Sequence, residues 1–218
     1  MRLIIREYLS LLKEDGELDA ILPTLLLAMN IVPLSSAQKG VRQDGVDVSA
    51  VGKDENGVKT LFLFLIKQGD LGRADWDSGP QSVRPSLNDI KDIYLNNRVN
   101  IKHKNLPKKI IVCTGGSLKQ NVESGWNGYI QNHQVDGELE YEFWGGDKLS
   151  SLIEGHLFNE KVIPEALQNR FRKSLVLLSD PSYDLSDYYF VLDELLLNVD
   201  FGDLSKQSTK KKILKALR

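Results

Sequence analysis

The sequence points to an α/β fold with a mixed central sheet flanked by helices, followed by a C-terminal segment made of helices alone. Three features support this. The runs Leu61-Phe62-Leu63-Phe64-Leu65-Ile66 and Ile110-Ile111-Val112-Cys113 are apolar at every position, as strands covered on both faces of a sheet are. Asn56-Gly57 lies between the first run and the alternating stretch 46–51, and this dipeptide is a strong hairpin signal, so those two strands pair antiparallel. A helical stretch separates the two apolar runs, and a strand that follows its neighbour through a helix in the same sheet is parallel to it.

The elements follow in order. Leu3, Ile4, Tyr8, Leu11 and Leu12 fall along one stripe of a helix over 2–13 that Gly16 ends. A second helix over 17–30 faces Leu18, Ile21, Leu22, Leu25, Leu26 and Met29 inward, with Pro23 near its first turn and Pro33 stopping it. The hairpin strands come next, then a stretch from Gly69 to Pro85 that is rich in Gly, Asp, Ser and Pro. With no period, it reads as a long loop, and such loops are usually functional, so its tip is a candidate lid. Ser86 caps a helix to about Asn97, 107–114 is the second buried strand, and 117–131 is a helix anchored by Trp126 and Tyr129. Residues 139–144 form a further strand and 147–157 a short amphipathic helix. Beyond 160 only helices are expected, over 162–178, 185–198 and 206–217, with a break at Asp180-Pro181-Ser182. The division is therefore a domain over 1–160 and a helical extension over 161–218, read as the start of a further region of a longer protein.

Composition narrows the class. The 218 residues are 41% hydrophobic and 27% charged, a balance that fills a core and solvates a surface. Cys113 is the only cysteine, which excludes an internal disulfide and a thiolate zinc site and points to a reducing, cytoplasmic setting. Charges interrupt the first apolar stretch, and no run approaches the roughly 20 residues that a membrane helix needs. The net charge of −2 leaves any nucleic-acid contact to local basic strips. Three exist: Lys102-His103-Lys104 with Lys108-Lys109, then Arg170, Arg172 and Lys173, then Lys210-Lys211-Lys212. Each reads first as a solvated face or a helix end.

One constellation carries chemistry. Asp47 opens the first hairpin strand and Lys67 ends the second, so antiparallel pairing brings both to one end of the sheet. Gly40-Val41-Arg42-Gln43-Asp44-Gly45-Val46-Asp47, with Phe64-Leu65-Ile66-Lys67, resembles the PD-(D/E)xK motif of the restriction-endonuclease-like superfamily. Within it the chain is most similar to Mrr-like nuclease modules at the front of bacterial defence proteins. Lys67-Gln68-Gly69-Asp70 and 142–149 add to the likeness, which covers about 17–158. The resemblance implies a metal-dependent DNA endonuclease module in restriction or anti-phage defence, using Mg or Mn. Asp47 would hold the cation, with the Ile66 carbonyl and Glu17 as further ligands, and Lys67 would stabilise charge on the phosphate or the attacking water. Arg42, Arg73 and Arg84, with Lys67, would meet DNA phosphates, and the rest of a longer chain, a partner subunit or a second copy would complete the assembly. The pattern departs at Leu65, where an acid or Gln is expected; leucine cannot ligate a cation. The alternative is therefore a degenerate nuclease-like domain that binds nucleic acid or a protein partner.

Rival sites are weaker. Cys113 lies inside an apolar strand, where a free cysteine acts as a small hydrophobe. Ser117 after Gly115-Gly116 resembles a phosphate nest but lacks the lysine of a P-loop. The three histidines are too scattered for a zinc site, and Trp76 reads as a loop plug ahead of a base-stacking residue.

Overall fold

The computed structural model describes residues 2–35, 44–157, 164–177 and 180–198. The chain forms two compact units, Met1–Phe158 and Asn159–Arg218. The first holds a five-stranded mixed sheet in the order β1-β2-β3-β4-β5. Its strands are β1 Val32–Pro33, β2 Val48–Lys53, β3 Lys59–Lys67, β4 Lys108–Thr114 and β5 Leu139–Trp144. β1, β2 and β3 pair antiparallel, and β3, β4 and β5 pair parallel. The β2–β3 turn takes the three-residue hairpin form: only Gly57 has positive φ, and the Asp54 carboxylate accepts the Asn56 and Val58 N–H groups.

Alternation along β3 divides the core. Phe62, Phe64 and Ile66, with Ile111 and Cys113, pack under α1 Arg2–Leu11, α2 Asp19–Ala28 and α7 Gly146–His156. Leu61, Leu63 and Leu65, with Ile110 and Val112, pack under α4 Val83–Asp89 and α6 Gln120–His133. At roughly 25 cal/mol per Å² of apolar surface, burial on both faces is what stabilises the β3–β4 pair at the sheet's centre.

Three expectations are corrected. On α1 the buried residues are Ile5 and Leu9, with Leu12 buried just beyond its end, whereas Leu3 and Leu11 are 85% and 72% exposed and Tyr8 also faces outward. The helix is apolar on two faces, so periodicity alone does not choose the packed one. The stretch 69–85 is not one loop: α3 Arg73–Asp77 forms inside it, and α4 starts at Val83, before Ser86. Pro85 is accommodated in the first turn, where its missing N–H costs no helix bond; the helix then runs through a wider turn, Ile90–Tyr94, into α5 Leu95–Asn97. Trp76 on α3 is buried edge-on against Trp126 and Tyr129, so it is the plug.

In the second unit, α8 Glu165–Leu177 and α9 Ser186–Asn198 form a helical pair. The Arg170 guanidinium lies 4.0 Å from the centre of the Phe190 ring, and Lys173 pairs with Asp187 at 2.7 Å. The expected helix over 206–217 lies outside the described residues. No described helix is long and apolar enough to cross a membrane.

Candidate functional site

Asp47 is placed by the turn that precedes it. Asp44 and Gly45 both have positive φ, and a Cβ on Gly45 would run into the Ser86 carbonyl, so only glycine lets this turn lie against α4. Asp44 is buried and its carboxylate takes the Arg98 Nε–H at 2.8 Å. Asp47 then joins the end of the β2–β3 ladder: its N–H donates to the Phe64 carbonyl at 2.8 Å, and its Oδ2 accepts the Ile66 N–H at 2.7 Å. The carboxylate thus occupies a ladder position that a main-chain carbonyl would otherwise fill. A residue's N–H and C=O point to the same neighbouring strand, so the Ile66 carbonyl also faces the Asp47 side.

Lys67, the last residue of β3, is at the same end of the sheet. Its Nζ lies 3.8 Å from Glu14 Oε1, and only 16% of its side chain is exposed. Its charge also reaches Asp47, where it acts to lower the carboxyl pKa. Glu14 comes from the kinked linker between α1 and α2, where Gly16 takes φ 81°. Glu17 is turned back onto this linker and accepts the Lys13 N–H at 2.8 Å. The acid that meets Lys67 is therefore Glu14, three residues earlier, which the motif did not single out. Only the acidic run Glu14-Asp15-Gly16-Glu17 signalled it.

The electrostatics are those of crowded acids. Burial raises the Asp47 pKa and nearby Asp19 adds to the rise, against the Ile66 N–H and Lys67, which lower it. Burial likewise raises Glu14, opposed by Lys67 and reinforced by Asp47, Asp15 and Asp19. Asp19 Oδ1 is buried with no hydrogen-bond partner. Three carboxylates thus share this end of the sheet with one lysine, a surplus of negative oxygen that suits a hard cation. Among the described residues, however, no three His, Cys, Asp or Glu side chains converge closely enough to hold a metal ion. Protein side chains alone supply at most two carboxylate ligands here.

Beside Lys67 opens a cleft of about 500 Å³, lined by Glu14, Lys67, Gln68, Asp75 and the turn before α4. Two of the expected arginines flank its lining residues in sequence. Arg73 is exposed at the start of α3, while Arg84 is neutralised by Asp77, at 2.6 Å. Arg42 lies outside the described residues. Leu65 is buried in the α4–α6 layer and adds nothing to the site.

The rival sites close. Cys113 is fully buried, and burial pushes its thiol up to about 12, so no thiolate forms near neutral pH. The Ser117 N–H is taken by Asp70 at 2.9 Å and its Oγ by Arg6 at 2.8 Å, which fills the supposed phosphate nest. The chain matches no family model, no curated protein and no solved structure.

Proposed function

We propose that the sheet domain is a metal-dependent DNA endonuclease module of the restriction-endonuclease-like, Mrr-like type. It would work in the cytoplasm, in bacterial restriction or anti-phage defence, together with the rest of a longer chain, a partner subunit or a second copy. One observation carries this reading: Asp47 and Lys67 lie at one end of the central sheet, near enough for the lysine charge to act on the carboxyl, beside a third charged group, Glu14. Asp47, through the oxygen not committed to Ile66, and Glu14 hold Mg or Mn, with the Ile66 carbonyl and water completing the shell. A cation held there supplies Lewis-acid stabilisation of phosphate charge and lowers the pKa of a bound water. Lys67 donates to a phosphate oxygen or orients the attacking water, and Arg73, with Arg42, meets phosphates along the cleft rim.

The second reading, a degenerate nuclease-like binder of nucleic acid or protein, is favoured by Leu65. With that residue committed to the core, the strand contributes no side-chain ligand before Lys67. Plasmid nicking separates the two. The nuclease reading expects cleavage with Mn or Mg, none with chelator, and a loss of at least ~100-fold in Asp47→Ala, Lys67→Ala and Glu14→Ala, the scale set by removal of a transition-state interaction. A wild type that binds DNA but leaves it intact with both metals hands the function to the second reading.

A further inference from the structure

The sheet has a second charged end. β3 runs from Lys59 to Lys67, a span of about 26 Å at the rise of a strand, so Lys59 lies far from Asp47. Lys53 and Lys59 are direct cross-strand partners, and both are exposed. Like charges set opposite one another destabilise a strand pair.

The register extends the cluster. Val51, Leu61 and Ile110 all belong to the α4–α6 core layer, and alternation puts Lys53, Lys59 and Lys108, each two positions further out, on that same face. Lys108 stands opposite Leu61, so the three lysines occupy three adjacent strands. The turn before β4 adds exposed Lys102 and Lys104, and it is tied to this edge because Lys108 Nζ donates to the Lys104 carbonyl at 2.7 Å.

The opposite face of the same end is built differently. There Lys109 pairs with Glu140 at 3.2 Å, and Lys148 bridges Glu142 and Glu55 at 3.6 and 3.5 Å. None of these five lysines, Lys53, Lys59, Lys102, Lys104 and Lys108, has an ion-pair partner among the described residues. A chain of net charge −2 thus gathers five lysines around this end.

We propose that this lysine face is a second polyanion surface that takes the phosphate backbone of duplex nucleic acid, independently of Asp47 and Lys67. Lysines rooted in adjacent strands about 4.8 Å apart give a row of point charges on flexible stems, suited to backbone contact without base reading. Single strands are held mainly by aromatic stacking, and the exposed aromatics of the described residues, Tyr8, Tyr189 and Phe190, lie on α1 and α9. A membrane surface is held more firmly with apolar insertion, and the exposed apolar side chains near this end, Val58, Ile101 and Val135, are spread over separate turns.

The test is fluorescence anisotropy of a labelled random-sequence duplex with the full chain, in chelator, across a salt series. Lys53→Ala/Lys59→Ala/Lys108→Ala should bind roughly tenfold or more weakly, with the log–log salt slope reduced by about 2.7, or 0.9 for each phosphate no longer neutralised. The corresponding triple Lys→Arg variant should bind like wild type, which separates lost charge from lost fold. Because binding is read in chelator, where the cation-dependent cleavage site is silent, failure of this surface and failure of the cleavage site are told apart. An alanine variant with wild-type affinity and slope overturns the proposal. So does a wild type that fails to bind duplex, or that binds phosphatidylserine vesicles instead.

Discussion

Asp47 is a half-buried carboxylate whose folded pKa lies above its unfolded one, because lost hydration outweighs the Ile66 N–H and the charge of Lys67. Folding therefore favours its protonated form. By linkage, its contribution to stability is complete below the unfolded pKa and is lost as pH rises through the raised folded value. Asparagine keeps an oxygen for the Ile66 N–H and removes the charge. Asp47→Asn should therefore gain in melting temperature relative to wild type between about pH 3.5, below the unfolded pKa, and about pH 7.5 in the absence of divalent cation. A melting difference that is the same at both pH values, followed by calorimetry, would show that desolvation of this carboxylate is not what shapes the site. Asp47 and Lys67 were readable because hairpin pairing converts their places in sequence into a common end of the sheet. Glu14 was not, since its approach depends on a kink at Gly16 and on the packing of α1 and α2, and neither is encoded in a local pattern.

Among the elements, β3 and β4 were legible because their apolar runs leave no solvent-facing alternative: from Thr60 to Ile66 every residue of β3 is buried. The segment 69–85 was not, because its composition is that of a loop and its order comes from three buried side chains without a period, Leu71, Trp76 and Val83. Trp76 drives α3 into the α4–α6 layer against Trp126 and Tyr129, and in doing so it builds the wall of the cleft beside Lys67. Truncation at such a site costs about 3 to 5 kcal/mol. Trp76→Ala should lower unfolding stability by that order in chemical denaturation and should speed amide exchange across α3 ahead of β3. A loss well under 1 kcal/mol would mean that the segment is held by something other than its tryptophan. β1 escaped notice for the opposite reason: two residues, one of them Pro33, carry no periodic signal.

For the whole molecule, the proposed function makes one structural demand. The end of the sheet at Asp47 must act as a cation site although Leu65 is spent on the core, and the missing ligand must come from Glu14 on the helical layer. The lysines at the far end then contribute to holding nucleic acid rather than to chemistry. Calorimetric titration of the full chain with Mn²⁺ near neutral pH probes this demand at its source. Wild type should bind, both Asp47→Asn and Glu14→Gln should lose binding, and Glu17→Gln should retain it. Stability should also rise by about 2.7 kcal/mol once the free cation reaches a hundred times its Kd. No binding by wild type, or binding that survives Glu14→Gln unchanged, would remove the cation site from this end of the sheet.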